Sequence, residues 1–353
     1  MVGTVKGSPP RVSVLMPVWR AEATLDEALH DVRAQTREDW ECVLVLDGVA
    51  DASAEIARRH AAADPRVRVL ELPHAGIVPA LVAGLAACRA PLVARFDADD
   101  RMAPERLALQ VAHLEAHPEV ALVTCRVRFE VLAAPEAASP VDLARSGMAR
   151  HAAWLDTLDT SARIRAARFI DAPVAHPAVT YRKAAVDAVG GYRAGPFAED
   201  HDLWLRMFAA GLVFARVDDV LVTWRDGAHR LTRTDTRYAD AERRALVHHH
   251  LLVPGGPAAG KRIRIWGAGE YGRRHAKELA ARGAQVDDLL DIDPKKVGRR
   301  VAGGIPVVSA DGLGPPDGRP ILVAVATPGA RAIIADRLDQ RGYREDLDWW
   351  ALQ

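Results

Sequence analysis

Three acidic residues that lie close together in the chain could bind a divalent metal ion. Asp97, Asp99 and Asp100 follow a short apolar run that predicts a buried strand, and they precede a helical pattern. Residues two apart in an extended segment point to the same side, so Asp97 and Asp99 can present both carboxylates at a strand end, where α/β sheets bind ligands. Such oxygen ligands suit Mg²⁺ or Mn²⁺. Alternatively the acids cap the next helix, a role that suits Asp100.

A second acidic pair, Glu199 and Asp200, stands where a loop containing Gly195 and Pro196 enters a predicted helix. Taken by themselves, acids in a first helical turn are expected to oppose the positive end of the helix dipole. Asp202 points elsewhere on the same helix and is expected only to stabilise it.

A glycine-rich turn later in the chain is typical of nucleotide binding. Gly267, Gly269 and Gly272 separate a predicted strand from a helical pattern. Asp291 ends the next predicted strand, near the place where an acid contacts a ribose in dinucleotide-binding folds. Glycines also permit close packing of a strand against a helix without any ligand. A nucleotide or regulatory site and a structural or oligomerising role therefore both stay open.

These residues need a sheet to position them, and the apolar pattern predicts one. Short apolar runs alternate with helical patterns, which indicates a parallel α/β sheet. We expect the first strand to end at Pro17, the second to end at Asp47, and Pro104 to open a helix. Two short strands are expected before Trp224. The pattern weakens between residues 126 and 168, where we expect an insertion or a lid.

The length of 353 residues suggests two or three domains. Pro and Gly are concentrated just after residue 252, which is typical of a linker. We predict a flexible tail over residues 1–10, a first domain over 11–252, a linker over 253–260 and a smaller Rossmann-like domain over 261–353.

Composition excludes several classes of protein. The chain has 47 Lys+Arg and 47 Asp+Glu, a formal charge of zero, which argues against a nucleic-acid binder or a polybasic membrane anchor. No segment resembles a signal peptide or approaches the roughly 18 apolar residues that cross a bilayer, so we expect a cytoplasmic protein. Cys42, Cys88 and Cys125 lack Cys-x-x-Cys spacing and are expected in the core. A homo-oligomer stays open.

Several motifs in a fixed order resemble the inverting family 2 glycosyltransferases of the GT-A fold, over about residues 11–235. In chain order they are Met16-Pro17-Val18-Trp19, Val45-Leu46-Asp47-Gly48, Gly76-Ile77, the run from Ala94 to Asp100, His176-Pro177, Gly190-Gly191-Tyr192-Arg193 and the run from Glu199 to Arg206. The resemblance implies an α/β fold, a GT-A type nucleotide-sugar-binding α/β/α domain. The smaller Rossmann-like α/β domain that follows is similar to nucleotide-sugar-binding modules appended to some sugar-processing enzymes.

The resemblance implies an enzyme that moves a sugar from a nucleoside diphosphate sugar to a hydroxyl of a saccharide or lipid-linked acceptor, with Mn²⁺ or Mg²⁺ as cofactor. Asp99 would bind the metal together with Asp97, which also faces the ribose, and Asp200 would be the general base. Asp47 would accept a hydrogen bond from the base of the donor, or only shape its turn. Arg95 would contact phosphate, or pair with a neighbouring acid. The other implied donor contacts are Pro17, Trp19 and Glu199.

The chain departs from the family pattern at several positions. Trp19-Arg20 replaces the usual Tyr-Asn. The usual Tyr-Arg-x-His, whose histidine can bind the metal, is replaced by Trp224-Arg225-Asp226-Gly227. His229 is the candidate substitute, although a lone loop histidine is more often solvated. His176 could face either substrate or be a satisfied core histidine.

Two other functions remain open from the sequence. An NAD(P)-linked sugar-nucleotide oxidoreductase would use the turn from Gly267 to Gly272, and the departures above suit a non-catalytic scaffold. Peripheral contact with the inner membrane face is compatible with the sequence but not required by it.

Overall fold

The computed structural model describes residues 9–132, 147–227, 234–301, 303–327 and 329–352. Its backbone contacts define two compact units. The first unit comprises Met1–Ile164 and Val174–Tyr238, and the second comprises Arg165–Pro173 and Ala239–Gln353. The helix Asp240–Leu252 therefore groups with the second unit, whereas the predicted boundary at residue 252 places it in the first domain.

The first unit is built on one mixed sheet. Its strands are β1 (Val12–Val18), β2 (Trp40–Asp47), β3 (Val67–Leu72), β4 (Leu92–Arg95), β5 (Arg101–Met102), β6 (Val120–Val131), β7 (Thr180–Arg182) and β8 (Val213–Asp226). Their order across the sheet is β3-β2-β1-β4-β7-β6-β8-β5. The helices in this part of the chain are α1 (Leu25–Arg33), α2 (Ser53–Ala63), α3 (Ile77–Ala87), α4 (Arg106–Ala116), α5 (Gly147–Asp156), α6 (Ser161–Ala166), α7 (Lys183–Ala188) and α8 (Glu199–Ala209).

Strands β1 to β4 form the parallel half of this sheet. β1 and β2 are buried along nearly their whole length, which explains why each is an almost continuous apolar run. The apolar faces of α1 and α4 join the same hydrophobic core as β1 and β2. Because the strands are parallel, the carboxyl ends of β1, β2 and β4 meet at one edge of the sheet.

Pro17 does not end the first strand, contrary to the sequence expectation. β1 continues to Val18, and Pro17 pairs in register with Val45 of β2. The carbonyl of Leu15 accepts a hydrogen bond from the N–H of Phe96, so alternate residues of β1 direct their backbone groups toward β4. β4 has already ended at Arg95, and Pro17 therefore removes no ladder hydrogen bond.

The other half of the sheet mixes directions. β7 is antiparallel to β4 and β6, β8 is parallel to β6, and β5 is antiparallel to β8. β8 is one strand, not the two short strands expected before Trp224. Its pairing with β6 changes register on both sides of Arg126, as at a β-bulge. α4 begins at Arg106, two residues after Pro104, so Pro104 precedes the helix instead of opening it.

The weakly patterned region between 126 and 168 contains regular structure at both ends. β6 extends to Val131, and helices α5 and α6 occupy Gly147–Asp156 and Ser161–Ala166. Residues 133–146 lie outside the described residues, so the expectation of a lid remains a prediction.

The second unit is a smaller α/β sheet. Its strands are β9 (Arg262–Trp266), β10 (Gln285–Asp291), β11 (Arg300–Val301), β12 (Ile305–Ser309), β13 (Ile321–Val323) and β14 (Trp349–Ala351), in the order β11-β12-β10-β9-β13-β14. Its longer helices are α9 (Asp240–Leu252), α10 (Glu270–Ala281) and α11 (Ala330–Asp339). β9, β10, β12, β13 and β14 are parallel, as the sequence predicted for a Rossmann-like module. α9 belongs here because its buried His248 bonds His275 of α10.

The α/β class predicted from the sequence is confirmed. Cys42, Cys88 and Cys125 are free and buried, as expected of core cysteines. Over the described part of the chain, every helix is too short or too polar to span a bilayer.

Candidate active site

A cluster of carboxylates follows β4 at the carboxyl edge of the sheet. Asp97, Asp99 and Asp100 each offer an oxygen, and these atoms lie within 4.8 Å of one another. Asp100 is fully buried, and its Oδ1 accepts the N–H of Arg225 on β8 at 2.8 Å. Three clustered carboxylates match the hard-oxygen ligands that Mg²⁺ and Mn²⁺ prefer. The residues present therefore fit a divalent cation, and Asp100 takes part in the cluster instead of capping α4.

Arg95 forms an ion pair with Asp97. Its side chain is only 2% exposed. Burial opposes the charge of the guanidinium, but the carboxylate of Asp97 outweighs this effect and raises the pKa of Arg95. The pairing alternative left open by the sequence is thus present in the structure, and a contact of Arg95 with phosphate remains a prediction.

Arg225 holds the backbone of the carboxylate cluster. Its Nε donates to the carbonyl of Asp99 at 2.5 Å, and its Nη1 donates to Glu27 of α1 at 2.7 Å. The residue is 6% exposed. In the sequence, Arg225 is recognisable only as part of a motif that departs from the family pattern, and no signal links it to Asp99. The contact depends on β8 lying near the end of β4.

Glu199 and Asp200 form the first turn of α8. Glu199 is 2% exposed, and burial raises the pKa of its carboxyl group, although the hydroxyl of Tyr238 donates to it at 2.9 Å. Glu199 Oε1 is 4.0 Å from His176 Nδ1, and three residues after His176 the carbonyl of Val179 accepts the N–H of Arg95 at the end of β4. The start of α8 and the end of β4 are therefore connected through the segment 176–179, as a shared active site requires.

A buried polar network lies between Arg95 and Glu199. His176 is 7% exposed; its Nε2 is 2.9 Å from the Tyr192 hydroxyl, and its Nδ1 is 4.0 Å from Glu199. Burial, with the charge of Arg95 nearby, lowers the pKa of His176 well below 6.5. His176 is thus a satisfied core histidine. Tyr192 belonged to a recognised motif, whereas Tyr238 carried no signal in the sequence.

Asp47 is tied to the loop that begins at His74. It is 4% exposed, and its carboxylate accepts the N–H groups of Ala75 and Gly76 at 2.8 and 2.9 Å. His74 Nδ1 lies 2.9 Å from the same carboxylate. These contacts favour the interpretation that Asp47 shapes its turn, and its contact with a base remains a prediction.

Trp19 stands on the surface just beyond Pro17 and β1. It is 40% exposed and stacks on His74, with ring centroids 5.2 Å apart and planes inclined by 14°. The guanidinium of Arg20 lies 4.5 Å from the indole centroid. His74 and Arg20 thus pack against the indole, and stacking of Trp19 on a donor remains a prediction. His74 is a neighbour that the sequence did not reveal.

Two other expectations have different outcomes. His229 lies outside the described residues, so its role as a metal ligand remains a prediction. Asp202 pairs with Arg206 one turn along α8, at 2.7 Å, which confirms its helix-stabilising role.

In the second unit, the glycine-rich turn is tightly packed. A Cβ on Gly272 would lie 1.7 Å from the carbonyl oxygen of Gly267, whereas a Cβ on Gly269 would meet nothing within 4 Å. Asp291 accepts the N–H of Ala268 at 2.8 Å and binds Lys296 at 3.1 Å. These backbone and lysine contacts outweigh its burial and lower the pKa of Asp291. Asp291 thus holds the turn, and its contact with a ribose remains a prediction.

The chain was also compared with known proteins. The model of glycosyl transferase family 2 matches residues 13–188. The amylovoran biosynthesis glycosyltransferase AmsE of Erwinia amylovora is 32% identical over 63% of this chain and 78% of its own length. An uncharacterized glycosyltransferase of Haemophilus influenzae is 31% identical over 63% of this chain and 79% of its own length. A solved structure of the mannosyltransferase PcManGT from Pyrobaculum calidifontis, in complex with GDP-Man and Mn²⁺, is 20% identical with a TM-score of 0.47; the match covers 63% of this chain and 59% of that one.

Proposed function

This chain belongs to glycosyl transferase family 2, and from that premise we propose that it is a metal-dependent, inverting enzyme. It transfers a sugar from a nucleoside diphosphate sugar to a hydroxyl of a saccharide or lipid-linked acceptor. The observation that supports this proposal is the carboxylate cluster of Asp97, Asp99 and Asp100 near the start of α8, the helix whose first turn carries Asp200. Transfer needs both, the cluster at the leaving diphosphate and Asp200 at the attacking hydroxyl.

Each residue has a chemical task in this proposal. Asp200 takes the proton of the acceptor hydroxyl while the hydroxyl oxygen forms a bond to the anomeric carbon of the donor sugar. General-base catalysis of this kind contributes about 10²- to 10⁴-fold in rate. The bond from that carbon to the diphosphate breaks, and the electron pair leaves with the diphosphate. Because attack and departure occur on opposite faces, the anomeric configuration inverts.

The carboxylate cluster would hold the cofactor. Asp97, Asp99 and Asp100 fit a Mn²⁺ or Mg²⁺ ion, which when bound offsets the charge of the departing diphosphate. In this proposal Trp19, a partly exposed indole, contacts the base of the donor. Glu199, buried and bonded by Tyr238, positions the first turn of α8 that carries Asp200.

The first experiment identifies the nucleotide sugar that the protein binds. A panel of nucleotide sugars with Mn²⁺ is screened by thermal shift, because a specific ligand raises the melting temperature by mass action. Release of nucleoside diphosphate is then measured with candidate acceptors. Asp99→Ala and Asp200→Asn should each abolish transfer, and Asp200→Asn should retain donor binding.

Asp159→Asn is the matched control, because Asp159 is exposed and pairs only across one turn with Arg163 among the contacts observed. It should keep the wild-type rate. Transfer at the wild-type rate by Asp99→Ala or Asp200→Asn would refute the assigned roles, and transfer without divalent metal would refute metal dependence.

Family membership favours transfer over the oxidoreductase and scaffold alternatives. Nucleotide binding at Gly267, Gly269, Gly272 and Asp291 remains a prediction for the second unit. Cytoplasmic localisation, contact with the inner membrane face and homo-oligomerisation also remain predictions.

A further inference from the structure

A second cluster of metal-binding side chains joins α1 to α2 in the first unit. Asp26 and His30 are one turn apart on α1, and His60 comes from α2. Their ligand atoms all lie within 4.8 Å of one another. We propose that Asp26, His30 and His60 form a binding site for a transition-metal ion, with Zn²⁺ as the best match.

The spacing of the ligand atoms suits zinc. Tetrahedral bonds of about 2.0–2.1 Å place neighbouring ligand atoms about 3.3 Å apart. His60 Nε2 is 2.8 Å from Asp26 Oδ1, and His30 Nε2 is 3.8 Å from Asp26 Oδ2. The two distances reach different oxygens of the Asp26 carboxylate and lie on either side of this value, and the exposed side chains of Asp26 and His30 are free to rotate toward a common ion.

The cluster combines a fixed ligand with two adjustable ones. His60 is 3% exposed, and its ring meets the ring of His30 nearly edge-on, with centroids 5.1 Å apart. The side chains of His30 and Asp26 are 65% and 46% exposed, so an ion can enter from solvent and water can complete its coordination. Imidazole ligands select zinc and its neighbours over Mg²⁺, unlike the all-carboxylate cluster beyond β4.

A cationic group already occupies this position in the structure. The guanidinium of Arg59 lies 2.5 Å from Asp26 Oδ1, and its side chain is 59% exposed. Zinc binding displaces Arg59 into solvent. Nδ1 of His60 is buried and, within the described residues, lacks the hydrogen-bond acceptor that usually supports a metal-binding histidine. Loss of such support typically costs about 10- to 100-fold in affinity, so the site binds zinc more weakly than a structural zinc site.

The bound ion cross-links two helices. α1 has a second acidic side, about 100° around the helix from Asp26. On this side Glu27 forms ion pairs with both Arg225 and Arg101. Asp31 forms a further ion pair with Arg101. Arg225 also bonds the carbonyl of Asp99. Zinc at the α1–α2 cluster would therefore stabilise the position of α1, the helix that contacts the carboxylate cluster through Arg225.

The test is calorimetric titration of metal-stripped, full-length protein with ZnCl₂. The Asp99→Ala background removes one of the three carboxylates of the competing cluster and weakens metal binding there. Zinc binding is read directly, so the result does not depend on transferase activity. In that background we expect one zinc ion per chain at the α1–α2 cluster. Adding His30→Gln should weaken binding by at least about tenfold, because one of the three side chains that bind the ion is lost. His117→Gln, which removes another exposed histidine, should leave the affinity unchanged.

Cobalt provides a second readout. Co²⁺ bound through nitrogen and oxygen ligands in a tetrahedral site gives a visible absorption band, which should appear in the Asp99→Ala protein and be lost with His30→Gln. Equal zinc affinity with and without His30, or no zinc binding in the Asp99→Ala protein, would overturn the proposal. Circular dichroism should show that the His30→Gln protein is folded, because the side chain of His30 is exposed.

Discussion

The hydroxyl of Tyr238 donates a hydrogen bond to the buried carboxylate of Glu199 at 2.9 Å, directly beside Asp200. Tyr238 is the last residue of the first unit, and the contact spans 39 positions in the sequence. Without this hydrogen bond, burial of the Glu199 carboxyl group would lower the free energy of unfolding. The position of the proposed general base thus depends on a residue distant from it in the chain.

Tyr238→Phe should destabilise the first unit and slow transfer. A buried carboxylate that loses its donor costs about 1–3 kcal/mol, or more when it is charged. The free energy of unfolding, measured in urea, should fall by this amount at neutral pH, and kcat should fall because the first turn of α8 is less well held. Tyr271→Phe removes an exposed hydroxyl and should change neither quantity.

The same variant has a pH signature. Burial raises the pKa of Glu199 above 4.5, while the bond from Tyr238 lowers it, so Tyr238→Phe raises it further. A raised pKa in the folded state stabilises the fold below the unfolded-state pKa, and this contribution is lost as pH rises through the folded-state value. The difference between wild type and variant should therefore shrink in acid. A constant difference across pH would contradict this account.

Arg225→Gln should weaken binding of metal and donor. The variant loses charged hydrogen bonds to Asp99 and Glu27, each worth about 1.5–3 kcal/mol, so we expect the KM for both to rise by about tenfold or more. Steady-state kinetics at varied Mn²⁺ and donor measure this effect. Arg101→Gln is the comparison, because Arg101 also binds α1 through Asp31. Equal losses in both variants would show that anchoring α1, and not the contact with Asp99, is responsible.

The glycines of the second unit should differ in their tolerance of alanine. Gly272→Ala places a Cβ 1.7 Å from a backbone oxygen and should cost about 1–3 kcal/mol or more, because neither backbone can move freely. Gly269→Ala meets open space and should leave thermal stability unchanged. If both variants melt like wild type, the packing interpretation of this turn is wrong. If Gly269→Ala alone abolishes binding of a nucleotide, the site predicted from the sequence gains support.

The second unit should lose stability in mild acid. His248 Nε2 lies 2.8 Å from His275 Nδ1, and burial, together with His275, Arg282 and Arg244, lowers the pKa of His248 to about 3. The unfolded chain takes up the proton near 6.5, so the stability that neutral His248 contributes is present above pH 6.5 and lost as pH falls toward 3.

Hydrogen exchange of peptides from α9 and α10 measures this loss. Exchange should accelerate between pH 6.5 and pH 3 after correction for its intrinsic pH dependence. His248→Gln should reduce the acceleration, whereas His249→Gln, on the exposed side of α9, should not. The same acid response in both variants would exclude the histidine pair as its cause. Glu278, 3.7 Å from His248, is the acidic group that faces the pair.

Much of the architecture can be predicted from local patterns in the sequence. The alternation of apolar runs and helical patterns predicted the parallel sheets, and the position of Asp97 and Asp99 after an apolar run predicted a carboxylate cluster at a strand end. Strand limits were less predictable. Pro17 lies inside β1 because its missing N–H faces a side where β4 has ended, and that depends on a neighbouring strand and not on Pro17 itself.

Residue type and spacing report local conformation and burial, so the family motifs, the α/β class and the acids that could bind metal can be inferred from the chain alone. The partners of those acids depend on the fold. Arg225 reaches Asp99, Tyr238 reaches Glu199 and His60 reaches Asp26 across long stretches of chain. Such contacts depend on strand order and helix packing, which arise from the whole core at once, so no local pattern encodes them.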